Sequence, residues 1–173
     1  MASVSENGVP AAAPALSPLK GVGVLLGVIV AVAALIGIGM ALELSALHGG
    51  FLFVLYWTGF CHAEIEKFMP ALVGSLGGLA MCYLLKTLPV TLGGTVGMAI
   101  ALGLVLLAIY AIIMGWVPLL VNNAFMLFLT VGTIPALQEG ITLSQMARAV
   151  VVAAIYVGAL VLLGKKLGGQ QQS

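Results

Sequence analysis

Aspartate is absent from this chain of 173 residues, and only five glutamates and six lysines or arginines supply its charge. Charged residues make up 6% of the sequence and hydrophobic ones 62%. A soluble domain spends about a quarter of its residues on charge, so this chain has too few polar groups to face water. That excludes a cytoplasmic enzyme and a secreted disulfide scaffold. Net charge is only +1, so no long-range field gathers nucleic acid or anionic substrates. The two cysteines, Cys61 and Cys82, sit in apolar runs and read as small buried hydrophobes. Only two histidines are present, His48 and His62. Cys61-His62-x-Glu64-x-Glu66 mixes soft and hard ligand types, but no CxxC or HxxxH partner stands elsewhere. No metal and no cofactor is expected.

What the chain has is apolar length, with a mean hydropathy of +1.26 and 23 glycines. At roughly 20 residues per crossing, it holds about five to six membrane segments. Residues 1–19 carry three prolines and no lysine or arginine. They read as an unstructured cytoplasmic tail rather than a secretory signal. A single transmembrane domain follows over 20–166, and 167–173 form a polar C-terminal tail. The first span is expected over 21–47, interrupted only by Glu43. The run 51–63 is short for a span and suits a re-entrant or broken helix. After the polar knot 64–67, a helix starts near Pro70 and closes at Lys86. A turn is expected over 87–94, around Pro89 and Gly93-Gly94. The second half then offers a helix over 94–115, a short run over 124–137, a knot at Gln138-Glu139-Gly140 and a last helix over 141–164.

The order of elements repeats: long helix, short segment, acidic knot, long helix, lysine. Shifts of 76, 73 and 80 residues align successive parts of the halves, about 20–86 and 91–166. The expected fold is therefore an all-α integral membrane bundle of about six membrane segments in two related three-element halves. The second element of each half is short, re-entrant or broken. If the short elements cross, Lys20, Lys67, Lys165 and Lys166 share the inner side, with Lys86 and Arg148 outside. If they re-enter, Lys86 and Lys67 exchange sides. Both arrangements keep more basic residues inside and both termini cytoplasmic. Three crossings per half make the repeats inverted, and two make them parallel.

Three glycine pairs, Gly23-x3-Gly27, Gly74-x3-Gly78 and Gly93-x3-Gly97, put small residues on one helix face for close packing. Glu43 stands inside an apolar span with His48 five residues on, which marks a candidate gating carboxylate or proton carrier. His62, Glu64, Glu66 and Lys67 form the densest polar cluster and suit a solvated loop or a pore mouth. Glu139 takes the analogous place in the second half. Asn122 and Asn123 precede the second short segment, as caps or as uncharged donors to a solute. Tyr56, Trp57 and Phe60 suit core packing or a constriction. No nucleophile–base pair and no phosphate loop is present, so no enzyme is expected.

Trp57-x2-Phe60, Lys67 and Ser75-Leu76-Gly77-Gly78 resemble the first half of a family of small bacterial inner-membrane proteins, catalogued as domain of unknown function 1097. The run Phe128-Leu129-Thr130-Val131-Gly132-Thr133 is similar to that family's aromatic-x-x-Pro-Gly pattern, with Val131 where proline is expected. The resemblance covers about residues 21–166. It implies an inner-membrane protein of few, tightly packed helices and brings no substrate.

The expected function is a small channel or permease for a small uncharged or weakly acidic solute. Glu43, His62, Glu64 and Glu139 would gate or bind, and Asn122 and Asn123 would donate hydrogen bonds. Its surroundings are the lipid bilayer and copies of itself, because so small a chain does not readily enclose a pathway alone. The alternative is a non-transporting membrane subunit, anchor or assembly factor of a larger complex.

Overall fold

The computed structural model describes residues 18–137 and 142–169. They are helical throughout, with no strand among them. Lipid offers no partner to backbone N–H and C=O groups, and a helix satisfies them within one segment. The order is α1 (Pro18–Ala41), α2 (Leu47–Val54), α3 (Phe68–Thr91), α4 (Gly94–Ile113), α5 (Asn123–Gly132) and α6 (Leu143–Gly169). Four segments are long and apolar enough to cross a membrane: Gly21–Ala41, Ile65–Thr91, Gly94–Ile113 and Leu143–Lys166. The expected all-helical membrane class therefore holds.

The chain divides into two compact units, Met1–Gly37 and Ile38–Ser173. Within the first, α1 is apolar after Lys20, and its own residues leave the side-chain positions of Gly23 and Gly27 open. Everything below concerns the second unit.

Several boundaries differ from expectation, each for a local reason. The first helix ends at Ala41 rather than running on to residue 47. Glu43 follows in a turn at φ 51°, exposed, with its N–H on the Met40 carbonyl. It therefore stands past the helix end, not inside the span. α3 does not stop at Lys86 but continues to Thr91 with Pro89 inside it. Proline so close to a C-terminus removes a single ladder bond. Thr87 and Thr91 also donate their hydroxyls to the carbonyls of Tyr83 and Thr87, 2.9 and 3.0 Å away. The connection to α4 shrinks to Leu92-Gly93, with Gly93 at φ 88°. Gly93 is therefore a turn residue with open space about it, while its expected packing partner Gly97 lies against Leu88 and Pro89. The pair does not form one packing face. At the far end α6 runs on to Gly169, into the expected polar tail.

Glycine and alanine determine how the helices meet. On α3 the residues Ala71, Gly74, Ser75, Gly78, Leu79 and Cys82 are buried, a stripe spaced by three and four. Added side-chain carbon at Gly74 would strike the Asn122 amide, and at Gly78 the Phe125 carbonyl. Gly132 in turn meets the Cys82 sulfur, which donates to the Leu129 carbonyl at 3.2 Å. Residue numbers rise together along both helices, so α5 runs parallel to α3. On the other side Gly49 meets Met146, and Gly50 meets the Ala149 carbonyl and Ala153. Trp57 shares a core with Ala154 and Val157, so α2 runs parallel to α6. The two long helices are mutually antiparallel. Phe68, at the start of α3, touches Gly158, whereas Tyr83 and Leu84 share a groove with Leu143 and Ser144. Each short helix thus packs along one long helix, α5 along α3 and α2 along α6.

Gly78→Ala forces carbon into the α3–α5 backbone contact. The expected cost is about 1–3 kcal/mol, lowering the unfolding midpoint in detergent by roughly 2–12 °C. Gly103→Ala, which meets nothing within 4 Å, should leave the midpoint unchanged or slightly raised. Equal midpoints for the two variants would contradict this packing.

Candidate functional site

Neither short helix crosses a bilayer alone. α2 has 8 residues and continues for 6 more through a π-helical turn, Leu55–Phe60, to roughly 20 Å. α5 has 10 residues, roughly 15 Å, against a hydrocarbon core of about 30 Å. The π-turn shows in the Cys61 N–H, which reaches back five residues to the Tyr56 carbonyl at 3.2 Å. Thr58 adds its hydroxyl to the Val54 carbonyl at 2.7 Å. Such widened turns put carbonyls and side chains off the regular ladder and recur at functional sites.

The end of the π-turn comes up against the start of α5. The Tyr56 hydroxyl lies near the Cys61 thiol and the Ala124 backbone. Tyr56 also stacks on Phe60, with centroids 6.0 Å apart. Between these elements lies a crevice of about 490 Å³, lined by Tyr56, Phe60, Cys61, Lys67, Asn123 and Leu127. Next to Tyr56 in the chain, Trp57 is buried in the core, edge-on to Phe68 at 4.9 Å, with Nε1 donating to the Glu64 carbonyl at 2.9 Å. That bond ties the loop after α2 back onto the core.

The two asparagines divide their roles. Asn122 is the N-cap of α5: its Oδ1 accepts from the N–H groups of Ala124 and Phe125 at 2.9 and 3.2 Å. Its Nδ2 donates to Pro70 across the helix pair at 2.8 Å, and to Pro118 at 3.0 Å. This amide is spent on the fold and has nothing left for a solute, which corrects the expectation of a donor there. Asn123 makes none of these bonds and turns into the crevice.

The polar cluster after α2 is mostly outside the crevice. Glu64 pairs with Lys67 at 2.9 Å, both half exposed. The Lys67 hydrogen bond holds the Glu64 carboxyl below its ordinary titration range. An exposed pair of this kind contributes little to stability, but it holds the Lys67 ammonium at the crevice wall. His62 is exposed at φ 53°, so it and Glu64 flank the site rather than line it. Lys165 also acts on Glu64, which joins the start of α3 and the end of α6 at one end of the unit. Glu43 stands in its own turn, apart from the crevice residues. Glu139 and Gln138 lie outside the described residues. The sequence placed Lys67 in a candidate pore mouth without singling it out, and Cys61 was read as a buried hydrophobe, since nothing in a polar knot reveals which side chains line one crevice.

No protein-family model, no curated protein and no solved structure matches the chain.

Asn122→Ala removes both the cap and the bond to Pro70. A lost cap alone costs about 1 kcal/mol, and the lost bond from Nδ2 to the Pro70 carbonyl adds about 0.5–1.5 kcal/mol. A midpoint lower by roughly 4–8 °C in thermal unfolding is expected, whereas Asn123→Ala should move it by less than about 2 °C. Equal losses would contradict the division of roles.

Proposed function

We propose that this chain is a small membrane channel or permease for a small uncharged or weakly acidic solute, built from two inverted halves. The observation that carries the reading is the pair of short helices. Each is too short to span, the two come together in one unit, and between them lies an open crevice with an amide, a phenol and an ammonium on otherwise apolar walls. Matched interrupted segments at the repeat boundary are where transporters of this general construction hold their cargo. A few polar groups on apolar walls suit recognition of a small molecule.

One register, a shift of 75 residues, relates the halves better than the three shifts read from the sequence. It carries Phe68, where α3 begins, onto Leu143, where α6 begins. Gly49, Gly50, Phe53 and Trp57 correspond to Ala124, Phe125, Phe128 and Gly132, and all eight are buried. Ala71, Gly74, Ser75, Gly78, Leu79 and Cys82 correspond to Met146, Ala149, Val150, Ala153, Ala154 and Val157, and all of these are buried as well. The contacts exchange under the same shift: Gly50 against Ala153 becomes Phe125 against Gly78. Antiparallel α3 and α6 support an inverted relation of the repeats. The approach of Lys165 to Glu64 supports Lys67, Lys165 and Lys166 on one side, the arrangement in which each short helix completes a crossing together with the loops that flank it. Cytoplasmic termini and a homo-oligomer in the inner membrane complete the proposal.

Flux into proteoliposomes tests it, with urea and acetic acid as probes. At least one should enter faster than into protein-free vesicles. Asn123→Leu should cut that excess about tenfold, because an apolar wall no longer replaces the solute's lost water bonds. Flux equal to protein-free vesicles for both probes would favour the non-transporting membrane subunit instead.

A further inference from the structure

His48 occupies an unusual position. It stands in the first turn of α2, beside Gly49 and Gly50, whose backbone is pressed against α6. Its Nε2 is buried and has no hydrogen-bond partner. Among the described residues it is the one buried side-chain nitrogen or oxygen left in that condition. Burying an unpaired polar nitrogen costs free energy that a well-packed bundle would ordinarily avoid. Nothing else in the fold needs the imidazole there.

The 75-residue register gives the position a meaning. His48 corresponds to Asn123, the amide that turns into the crevice of the second half. Leu47 likewise corresponds to Asn122, so the capping role has no counterpart in the first half while the inward-turning role does. The crevice residues Tyr56, Lys67 and Leu127 correspond to Val131, Thr142 and Leu52. Leu52 and Val131 pack on the same core as Phe53 and Phe128. The register therefore assigns His48 a less polar counterpart of the crevice, and Gly49 against Met146 places it near the opposite end of the antiparallel α3–α6 pair.

We infer that His48 is the solute-binding group of a second site, the twin of the Asn123 crevice, and that its Nε2 takes a small solute with a planar donor–acceptor group. An amide or an un-ionised carboxylic acid presents such a group, an N–H or O–H beside a carbonyl. This inference rests on the proposed transport function for the idea of two sites along one path, but the binding itself does not need transport. With one hydrogen-bonding residue contributed by each half, a solute exchanges its water for protein partners twice. The apolar core around Phe53 and Phe128 lies between the two.

The test uses the full chain in lipid nanodiscs, with ¹⁵N-labelled histidine and His62→Gln so that His48 gives the one imidazole signal. Urea and acetic acid are titrated separately at fixed pH. Saturable movement of the Nε2 resonance by either probe is the expected result, and its identity separates the amide source from the acid. No movement with both probes overturns the inference. Flux through His48 variants provides the second measurement. His48→Leu should lower probe flux about tenfold, while His48→Asn, the side chain of its twin, should keep it within about threefold. A resonance that moves in a protein without flux leaves the site standing and removes the transport reading. Flux with an unmoved resonance does the reverse.

Discussion

The closeness of two backbones, α5 on α3 and α2 on α6, is the constraint on which the rest of the structure depends. Lipid supplies no hydrophobic drive between helices, so they hold together by contact area, and small residues allow the most of it. Gly78 lets α3 approach the Phe125 carbonyl, and Gly50 lets α2 approach the Ala149 carbonyl. Short helices held at that distance by a long neighbour stay in the bundle despite making only two or three turns. Without those glycines, neither α2 nor α5 has enough surface of its own to be kept there.

The crevice follows from this arrangement. A short helix must end at membrane depth, and its end must be satisfied by protein. Asn122 does this for the start of α5 with both ends of its amide. The π-turn and the Trp57 bond to Glu64 do it for the end of α2. Where the two ends meet, polar groups gather that no regular helix could have presented: Tyr56, Lys67 and Asn123. The halves are not identical in this respect. Trp57 fills one place fully, whereas Gly132 in the corresponding place packs directly on the Cys82 sulfur. The proposed repeat therefore has one end closed by an indole and the other by helix contact alone.

Much of this was legible in the sequence, and the limits have physical causes. The membrane class follows from the missing aspartate and the scarce charge. The shortness of the second element in each half follows from how soon polar residues interrupt it. Gly74-x3-Gly78 reads correctly as a packing face because three intervening residues put both glycines on one side of a helix. Gly93-x3-Gly97 has the same spacing and reads wrongly, because a turn glycine at positive φ and a packing glycine look alike in sequence. Pro89 was expected in a turn after Lys86, but two residues before a helix terminus proline removes only one ladder bond, and α3 runs on to Thr91. The proposed register of 75 residues is hard to read in the sequence because it pairs burial rather than identity: Gly74 falls opposite Ala149, and Trp57 opposite Gly132. The unpaired His48 nitrogen was beyond sequence reasoning, since an orphaned atom is defined only by what fails to surround it.

The central claim is that water and small solutes reach the place where α2 and α5 meet. Cysteine at position 123, in a background free of Cys61 and Cys82, reports on it directly through its rate of reaction with a small, water-soluble methanethiosulfonate in sealed vesicles. Cysteine at position 102, on the exposed apolar surface of α4, serves as the lipid-facing reference. The account predicts reaction at 123 at least about tenfold faster than at 102, with further slowing when a transported solute is present in excess. Equal, slow reaction at both positions would mean that the crevice is closed to water, and the account would be wrong.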